Sequence, residues 1–313
     1  MKTVAIVNPT AGYRRARRAW PRLLASLGEP GARVATWWTE WPGHAETLAA
    51  RARREGFDRV VAVGGDGTLL EVVNGLWWES RGLQPSVGVV PFGTGCDYVR
   101  SFDLGPTLRD QVMTALGEAT LRVSVGVARL QGLDGQPRPR VFVNVLGLGF
   151  DARVITRFRQ QRFRLPGKMA YFVSGLKELR RLTHHRLTGA LNGRPLEMDA
   201  MLVALGLGRY FGGGMMITPA ASPQASHFHV VLAQKLSRLE LLGLLPGLYF
   251  GKHLDHPRVT AAYAGQITLN ADPPAYVEAE GEVEGTTPIE VAIRPRALRI
   301  AAPALSARFL LRP

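Results

Sequence analysis

Apolar positions in the first third of the chain fall into short unbroken runs separated by amphipathic stretches. Val4 to Val7, Arg33 to Trp38, Arg59 to Val63 and Val87 to Val90 read as strands. Tyr13 to Leu27, Gly43 to Glu55 and the stretch from Thr68 through Leu76 read as helices. Strands that are apolar throughout, alternating with helices, predict a parallel sheet covered on both faces. After Thr120 the texture changes. Leu121 to Leu130, Arg140 to Leu146, Arg186 to Leu191, Met198 to Leu205, His227 to Ala233, Gln266 to Leu269, Tyr276 to Glu280 and Ile289 to Ile293 read as strands, with Gly132 to Arg140 as a hairpin loop. Only Lys168 to Leu182 and Leu236 to Phe250 carry a helical pattern there. Many strands between turn residues predict an antiparallel sandwich or barrel. The expected organisation is an α/β domain over 1–120 and an all-β domain over 121–301. The tail 302–313, apolar from Leu305 to Leu311, is expected to pack back on the first domain.

Composition narrows the partners. The 313 residues supply two ordinary cores, with 46% hydrophobic content. The formal charge of +14 comes from 39 basic and 25 acidic residues and favours anionic partners. Helix-turn-helix, zinc-ligand and aromatic RNA-binding signatures are missing, so nucleic acid is not expected and an anionic membrane surface is. The basic run Arg153, Arg157, Arg159, Arg162, Arg164 and Lys168 is the candidate contact with headgroups. Cys96 is the single cysteine, which fits a reducing cytoplasm. The apolar stretch Leu239 to Tyr249 is too short to span a bilayer and contains Glu240 and Pro246. A cytoplasmic, peripherally membrane-associated protein is expected.

Candidate chemistry sits at the strand ends. Gly64-Gly65-Asp66-Gly67-Thr68 follows the run Val60 to Val63 and opens a helix, which presents backbone N–H groups where an anion can sit. A carboxylate inside a phosphate cradle suggests a nucleotide with a divalent metal, hence phosphoryl transfer. Gly93-Thr94-Gly95-Cys96-Asp97 again ends a strand and is expected to start a helix. Asn8, Thr39, Asp66 and Thr94 each stand just past a strand, where open parallel sheets bind ligands. Taken singly, these residues also suit plainer roles. Glycine is common in strand-to-helix turns, Asp97 suits a helix N-cap and Thr94 a turn hydroxyl.

Asn8-Pro9-Thr10-Ala11-Gly12, Gly64 to Thr68 and Gly93 to Asp97 resemble the motifs of the diacylglycerol kinase catalytic domain family, closest to its bacterial soluble lipid kinases. The resemblance continues in order through Gly147 to Ala152, Gly167 to Tyr171, Gly212 to Met215, Gly251-Lys252-His253, Glu280-Gly281-Glu282 and Pro295 to Leu298. It implies a Rossmann-like domain of the NAD kinase and diacylglycerol kinase type followed by a β-sandwich. It implies ATP-dependent phosphorylation of a lipid alcohol, with ATP and Mg2+ as cofactors and a homodimer as one possible assembly. Phosphate-binding turns map onto Asn8, Pro9, Thr10, Ala11, Gly12 and onto Gly64, Gly65, Asp66, Gly67, Thr68. Other nucleotide contacts map onto Thr39 and onto Gly93, Thr94, Gly95. Asp66 and Asp97 match carboxylates that organise magnesium through water, and Glu282 matches the general base with Glu280 beside it. Two carboxylates at i and i+2 of a strand share a face, where repulsion raises the pKa of one. The plainer reading is an exposed acidic strand end, since Glu278 and Glu284 flank the pair.

Three departures stand out. Cys96 replaces an asparagine and Glu280 an aspartate of the family pattern. Ala225 to His229 stands where many bacterial members carry carboxylates for a structural magnesium, so no second metal is expected at what reads as an exposed strand with His227 and His229 on one face. Phe142, Phe150, Phe163, Tyr171, Phe172, Tyr210 and Phe211 are candidates for lining an acyl-chain cleft, against an ordinary core role. Two alternatives accompany the lipid-kinase reading: an NAD kinase-like enzyme, and a non-catalytic lipid- or nucleotide-binding protein on the same fold.

Overall fold

A computed structural model describes residues 1–80, 84–93, 95–149 and 184–307. The chain divides into two compact units, Met1–Val123 with Arg296–Leu311, and Ser124–Pro295.

The first unit alternates strand and helix. β1 (Thr3–Val7), β2 (Val34–Trp38), β3 (Arg59–Gly64) and β4 (Ser86–Pro91) form a parallel sheet in the order β2-β1-β3-β4. β1 and β3 are buried throughout, so continuous apolar runs belong at its centre. α1 (Ala11–Ser26) and α5 (Leu108–Leu116) cover one face, where Ala16, Trp20, Val112 and Ala115 pack on Ala5, Val7, Val61 and Val63. Between them in sequence come the single turn α2 (Glu29–Ala32), then α3 (His44–Arg54) and α4 (Asp66–Trp78). α3 buries Ala45, Leu48, Ala49 and Ala52, and Gly75 of α4 lets the two helices touch: a Cβ there would stand 2.0 Å from the Glu46 carbonyl oxygen. α5 is capped by a reciprocal Thr107–Asp110 pair. Leu305 bridges to Phe102, so the chain returns to this unit near its end.

The second unit is a β sandwich. Its strands are β5 (Thr120–Gln131), β6 (Pro137–Phe142), β7 (Val145–Gly149), β8 (His185–Leu191), β9 (Arg194–Gly206), β10 (Phe228–Gln234), β11 (Val259–Ala264), β12 (Gln266–Asp272), β13 (Tyr276–Ala279) and β14 (Glu282–Ala301); the first residues of β5 and the last of β14 belong to the first unit, where Ile300 pairs in parallel with Val87 of β4. β9 pairs with β8 along its first half and with β7 along its second. β14 pairs with β13 and then with β12. Two long strands that change partners turn the corners of the sandwich. The helix α6 (Arg238–Leu248) and a 3-10 turn (Lys252–Asp255) lie between β10 and β11.

Several expectations change. The single strand expected over Arg140 to Leu146 is two, broken at Val143 and Asn144, whose amides bind a side chain instead of a ladder. The expected exposed strand at His227 to His229 is half right in its exposure. His227 is exposed, but His229 is only 2% exposed and sits between buried Phe228 and Val230. Phe142 is core, stacked on Phe228 at 5.6 Å, and Phe211 belongs to a buried cluster. Phe150, Phe163, Tyr171, Phe172, the basic run from Arg153 to Lys168 and the helix expected over Lys168 to Leu182 lie outside the described residues, as does Thr94.

Candidate active site

Sheet register brings the glycine-rich segments to one level. Val7 stands beside Trp38 on one side and Val63 on the other, and Gly64 beside Pro91. Asn8, Thr39, Gly65 and Phe92 therefore leave four neighbouring strands together at their carboxyl ends. The order β2-β1-β3-β4 reverses its direction of travel at β1, so the crevice between β1 and β3 is the topological switch point.

Three loops meet over that crevice. Asn8 Nδ2 donates to Thr68 Oγ1 at 3.3 Å, while its Oδ1 accepts from the Thr10 N–H at 3.0 Å and the Thr10 hydroxyl at 2.8 Å. One asparagine thus shapes the first turn and ties it to α4. Gly12, Tyr13 and Arg14 have φ of 57°, 57° and 67°, so the expected helix from Tyr13 is regular only beyond Arg14. Gly12 needs both that conformation and its bare Cα, since a Cβ would stand 2.4 Å from the Phe92 carbonyl oxygen. Gly93 meets Gly65 backbone to backbone, and a Cβ on Gly93 would lie 2.4 Å from the Gly65 Cα. Pro9 is partly exposed, Thr10 is exposed and Ala11 is buried. The first N–H groups of α4, at Asp66, Gly67 and Thr68, have no acceptor within the helix by its geometry. The arginines at 14, 15, 17 and 18 that follow the first turn are exposed.

The two acids converge. Asp66 Oδ2 accepts from the Asp97 N–H at 3.0 Å and Oδ1 from the Tyr98 N–H at 3.2 Å. Asp66 therefore caps a single 3-10 turn, Tyr98–Ser101, which stands where the sequence reading expects a helix to start. Asp97 is 4% exposed and its Oδ1 receives Arg100 Nε at 3.1 Å. A Cβ on Gly95 would stand 3.4 Å from Oδ2 of Asp66 and 3.4 Å from Oδ2 of Asp97, so both carboxylates face one glycine. Burial, and then the charge of Asp97, push the Asp66 carboxyl up to about 6, against the pull of the two amides. Cys96 has φ 48°, and burial followed by the Asp66 charge pushes its thiol up to about 12, so it stays neutral.

Thr39 closes β2, its N–H on the Val7 carbonyl at 2.9 Å. The loop beyond it is fastened by a residue not anticipated from the sequence. Glu71 accepts from the Gly43 N–H at 2.9 Å and the Ala45 N–H at 3.0 Å. The signal was present, since Glu71 is the lone acid within Leu69-Leu70-Glu71-Val72-Val73.

In the second unit the acidic segment takes a different shape from the expected strand. Ala279 pairs with Glu282, and Glu280 and Gly281 form the two-residue turn between β13 and β14, with φ of 55° and 82°. Positive φ at both positions is the type I′ hairpin turn. Glu280 and Glu282 therefore do not share a strand face, which corrects the i, i+2 expectation. Glu280 Oε1 accepts from the Val143 N–H at 2.8 Å and the Asn144 N–H at 2.6 Å, which accounts for the break between β6 and β7. Glu278 is fully buried, with Oε2 on the Gly281 N–H at 2.8 Å, and Glu284 pairs with Arg140 at 2.7 Å and Arg138 at 3.3 Å. Glu282 alone of the four is more than slightly exposed. This is a buried acidic hairpin, not an exposed acidic strand end. Asn144, also not anticipated, donates from Nδ2 to the Tyr210 carbonyl at 2.9 Å. Its sequence signal is a polar residue inside the run Val141 to Leu146.

The family profile described as the diacylglycerol kinase catalytic domain matches residues 2–128, and that of the YegS C-terminal NAD kinase beta sandwich-like domain matches 144–302. A Bacillus subtilis protein named "Putative lipid kinase YtlR" is 30% identical over 306 residues, covering 94% of this chain and 97% of its own. The chain belongs to the diacylglycerol kinase catalytic domain family. A Staphylococcus haemolyticus relative named diacylglycerol kinase is 26% identical over 298 residues, covering 95% of this chain and 87% of its own. Among solved structures, a diacylglycerol kinase from Bacillus anthracis aligns over 96% of each chain with a TM-score of 0.72 at 18% identity. Yeast NADH kinase in complex with NADH aligns over 96% of this chain and 82% of its own with a TM-score of 0.52 at 14% identity. These two likenesses concern the fold, and they agree on an α/β region followed by a β sandwich. As a family member the chain is a lipid kinase, a phosphotransferase with an alcohol group as acceptor. Among the described residues no helix is long and apolar enough to cross a membrane.

Proposed function

We propose that this chain transfers the terminal phosphoryl group of ATP to the hydroxyl of a diacylglycerol-type lipid, with magnesium and a carboxylate general base. The observation that carries the reading is the meeting of the Asn8–Gly12, Gly64–Thr68 and Gly93–Asp97 segments over the β1–β3 crevice, with Asp66 and Asp97 turned toward Gly95. Backbone amides at a helix N-terminus suit polyphosphate oxygens, and bare glycine Cα atoms let the chain approach them closely. Thr39, Thr94 and Gly95 would complete the nucleotide contacts.

Asp66 and Asp97 fit a hydrated magnesium ion. Arg100 pairs with Asp97, while the Asp66 carboxyl is raised first by burial and then by the charge of Asp97 beside it. Both Asp66 oxygens already accept amide N–H groups, which favours contact through water over direct coordination. Among the described residues no group of three or more His, Cys, Asp or Glu forms a direct metal cage. When bound, magnesium would supply neutralisation of the charge on the transferring phosphates. The family pattern makes Glu282 the base that accepts the hydroxyl proton as the transition state forms. Glu280, held by the Val143 and Asn144 amides, serves as the residue that positions the turn carrying Glu282.

Incubation of the protein with ATP, magnesium and dispersed diacylglycerol tests the reading. Phosphatidic acid is the expected product, and Glu282→Gln is expected to fold normally yet lose turnover at least about 100-fold. Label appearing on NAD instead of lipid contradicts the proposal.

A further inference from the structure

Helix α6 is apolar on two sides. Leu241, Leu244 and Leu248 pack against the cluster that contains Phe211, Ile217, Leu236 and Val259. Leu239, Leu242, Pro246 and Tyr249 recur at i, i+3, i+7 and i+10, a second stripe along the helix, and Phe250 follows it. None of the α6 residues is buried. Leu239 is 81% exposed, Phe250 70%, Tyr249 44% and Leu242 40%. Residues 241–251 contain no charged side chain. A helix at a water interface normally carries polar residues on its outer side, so this face is built for a different neighbour.

The surroundings say which neighbour. Exposed Lys235 and Arg238 precede the stripe and exposed Lys252 follows it. Of the two acids beside the stripe, Glu240 is occupied by the Ser237 cap, by Arg258 at 3.5 Å and by His256 at 3.8 Å, and exposed Asp255 follows Lys252 by three residues, leaving an excess of cations over acids. An apolar stripe ending in tyrosine and phenylalanine and flanked by cations matches the boundary between acyl chains and anionic headgroups. A second copy of the chain is a poorer match. A two-fold contact through this face would bring Lys235 and Lys252 of each copy against the same cationic rim of the other.

We propose that α6, with Tyr249 and Phe250, is the surface by which this chain rests on an anionic lipid bilayer. The helix lies in the interface plane, with Leu239, Leu242, Tyr249 and Phe250 among the upper acyl carbons and the lysines at the phosphates. None of these residues belongs to the phosphate-binding turns or the acidic hairpin, and the proposal does not rest on the kinase reading.

Cosedimentation with phosphatidylcholine vesicles, with and without phosphatidylglycerol, tests it. The wild type is expected to bind the phosphatidylglycerol vesicles, more weakly in high salt, and to bind pure phosphatidylcholine least. Leu239→Glu with Phe250→Glu is expected to weaken binding about 100-fold, roughly tenfold for each apolar side chain denied the interface. Both positions are exposed, so the thermal midpoint of the double variant should match the wild type. Leu133→Glu, at an exposed apolar residue in the β5–β6 loop, is expected to bind as the wild type does. Equal binding by the double variant and the wild type overturns the proposal, as does a wild type that ignores all vesicles. A wild-type dimer in vesicle-free buffer that the double variant splits overturns it too, by assigning the face to a second copy. Nucleotide turnover is not read in this assay, so failure of the kinase reaction would leave its result intact.

Discussion

Replacing Asp66 by asparagine separates its two duties, holding the second glycine segment and carrying charge. In the wild type both carboxylate oxygens accept backbone N–H groups, from Asp97 at 3.0 Å and Tyr98 at 3.2 Å. An asparagine side chain accepts only one of them and sets its NH2 group against the other donor, at a cost of about 1–3 kcal/mol. Against that stands the ionisation term. The carboxyl is raised from 3.8 to about 6, first by burial and then by Asp97. A raised acid stabilises the folded state below its unfolded value, and that contribution is lost as pH rises through the folded value. The shift corresponds to roughly 3 kcal/mol at 1.36 kcal/mol per unit. Asp66→Asn is therefore expected to be clearly less stable than the wild type near pH 4.5 and nearly equal, or more stable, at pH 7.5. Urea unfolding of both proteins at a series of pH values, read by circular dichroism, measures the difference directly. A stability gap that stays flat across this range would refute the assignment of a desolvated, charge-coupled carboxyl. Whatever the pH, phosphoryl transfer should fall by at least about two orders of magnitude, as expected when a charge-stabilising group is removed.

Other expectations follow from the same geometry. Gly93→Ala forces its methyl to 2.4 Å from the Gly65 Cα, so the two loops must part; nucleotide affinity should fall sharply and stability by about 1–3 kcal/mol, both readable by calorimetry. Glu280→Ala removes the acceptor of the Val143 and Asn144 amides, and faster hydrogen exchange at those two amides with a stability loss of about 2 kcal/mol is the expected sign. His229 is held down to about 4, chiefly by burial and then by His253, so its contribution to stability is present above pH 6.5 and lost as pH falls toward 4. His229→Leu should make the acid limb of the stability profile shallower; an unchanged limb would mean that His229 is not held neutral.

The parallel sheet was legible because burial on both faces demands unbroken apolar runs, and Val60 to Val63 shows one. The strand-end positions of Asn8, Thr39 and Asp66 follow from that run and its neighbours. The meeting of Gly65 with Gly93 was not legible, since a contact across 28 residues leaves no local pattern beyond the glycines themselves. Asp66 read as a ligand in a phosphate turn, yet its first partners are two amides of the next loop, because a buried carboxylate binds whatever donors the fold brings to it. Glu280 misled for a related reason. Alternation from Tyr276 suggested a continuing strand, but a glutamate at positive φ is set by the hairpin and by the amides waiting at Val143 and Asn144. His229 read as exposed because histidine is polar, whereas Phe228, Val230 and Val231 around it belong to a central strand of the sandwich. The two apolar sides of α6 were both visible as leucines, and only the structure separates the stripe that packs from the one that does not.

The central claim is that the paired acids at Gly95 serve phosphoryl transfer from ATP to a lipid alcohol. Radiolabelled ATP offered with magnesium and a total lipid extract, followed by identification of the labelled product, tests it most directly. The account predicts one labelled phospholipid that forms with the wild type, disappears in Asp66→Asn and Glu282→Gln, and is lost on chelation of magnesium. Label that reaches lipid equally in the wild type and Asp66→Asn, or tight nucleotide binding with no labelled lipid at all, would contradict it.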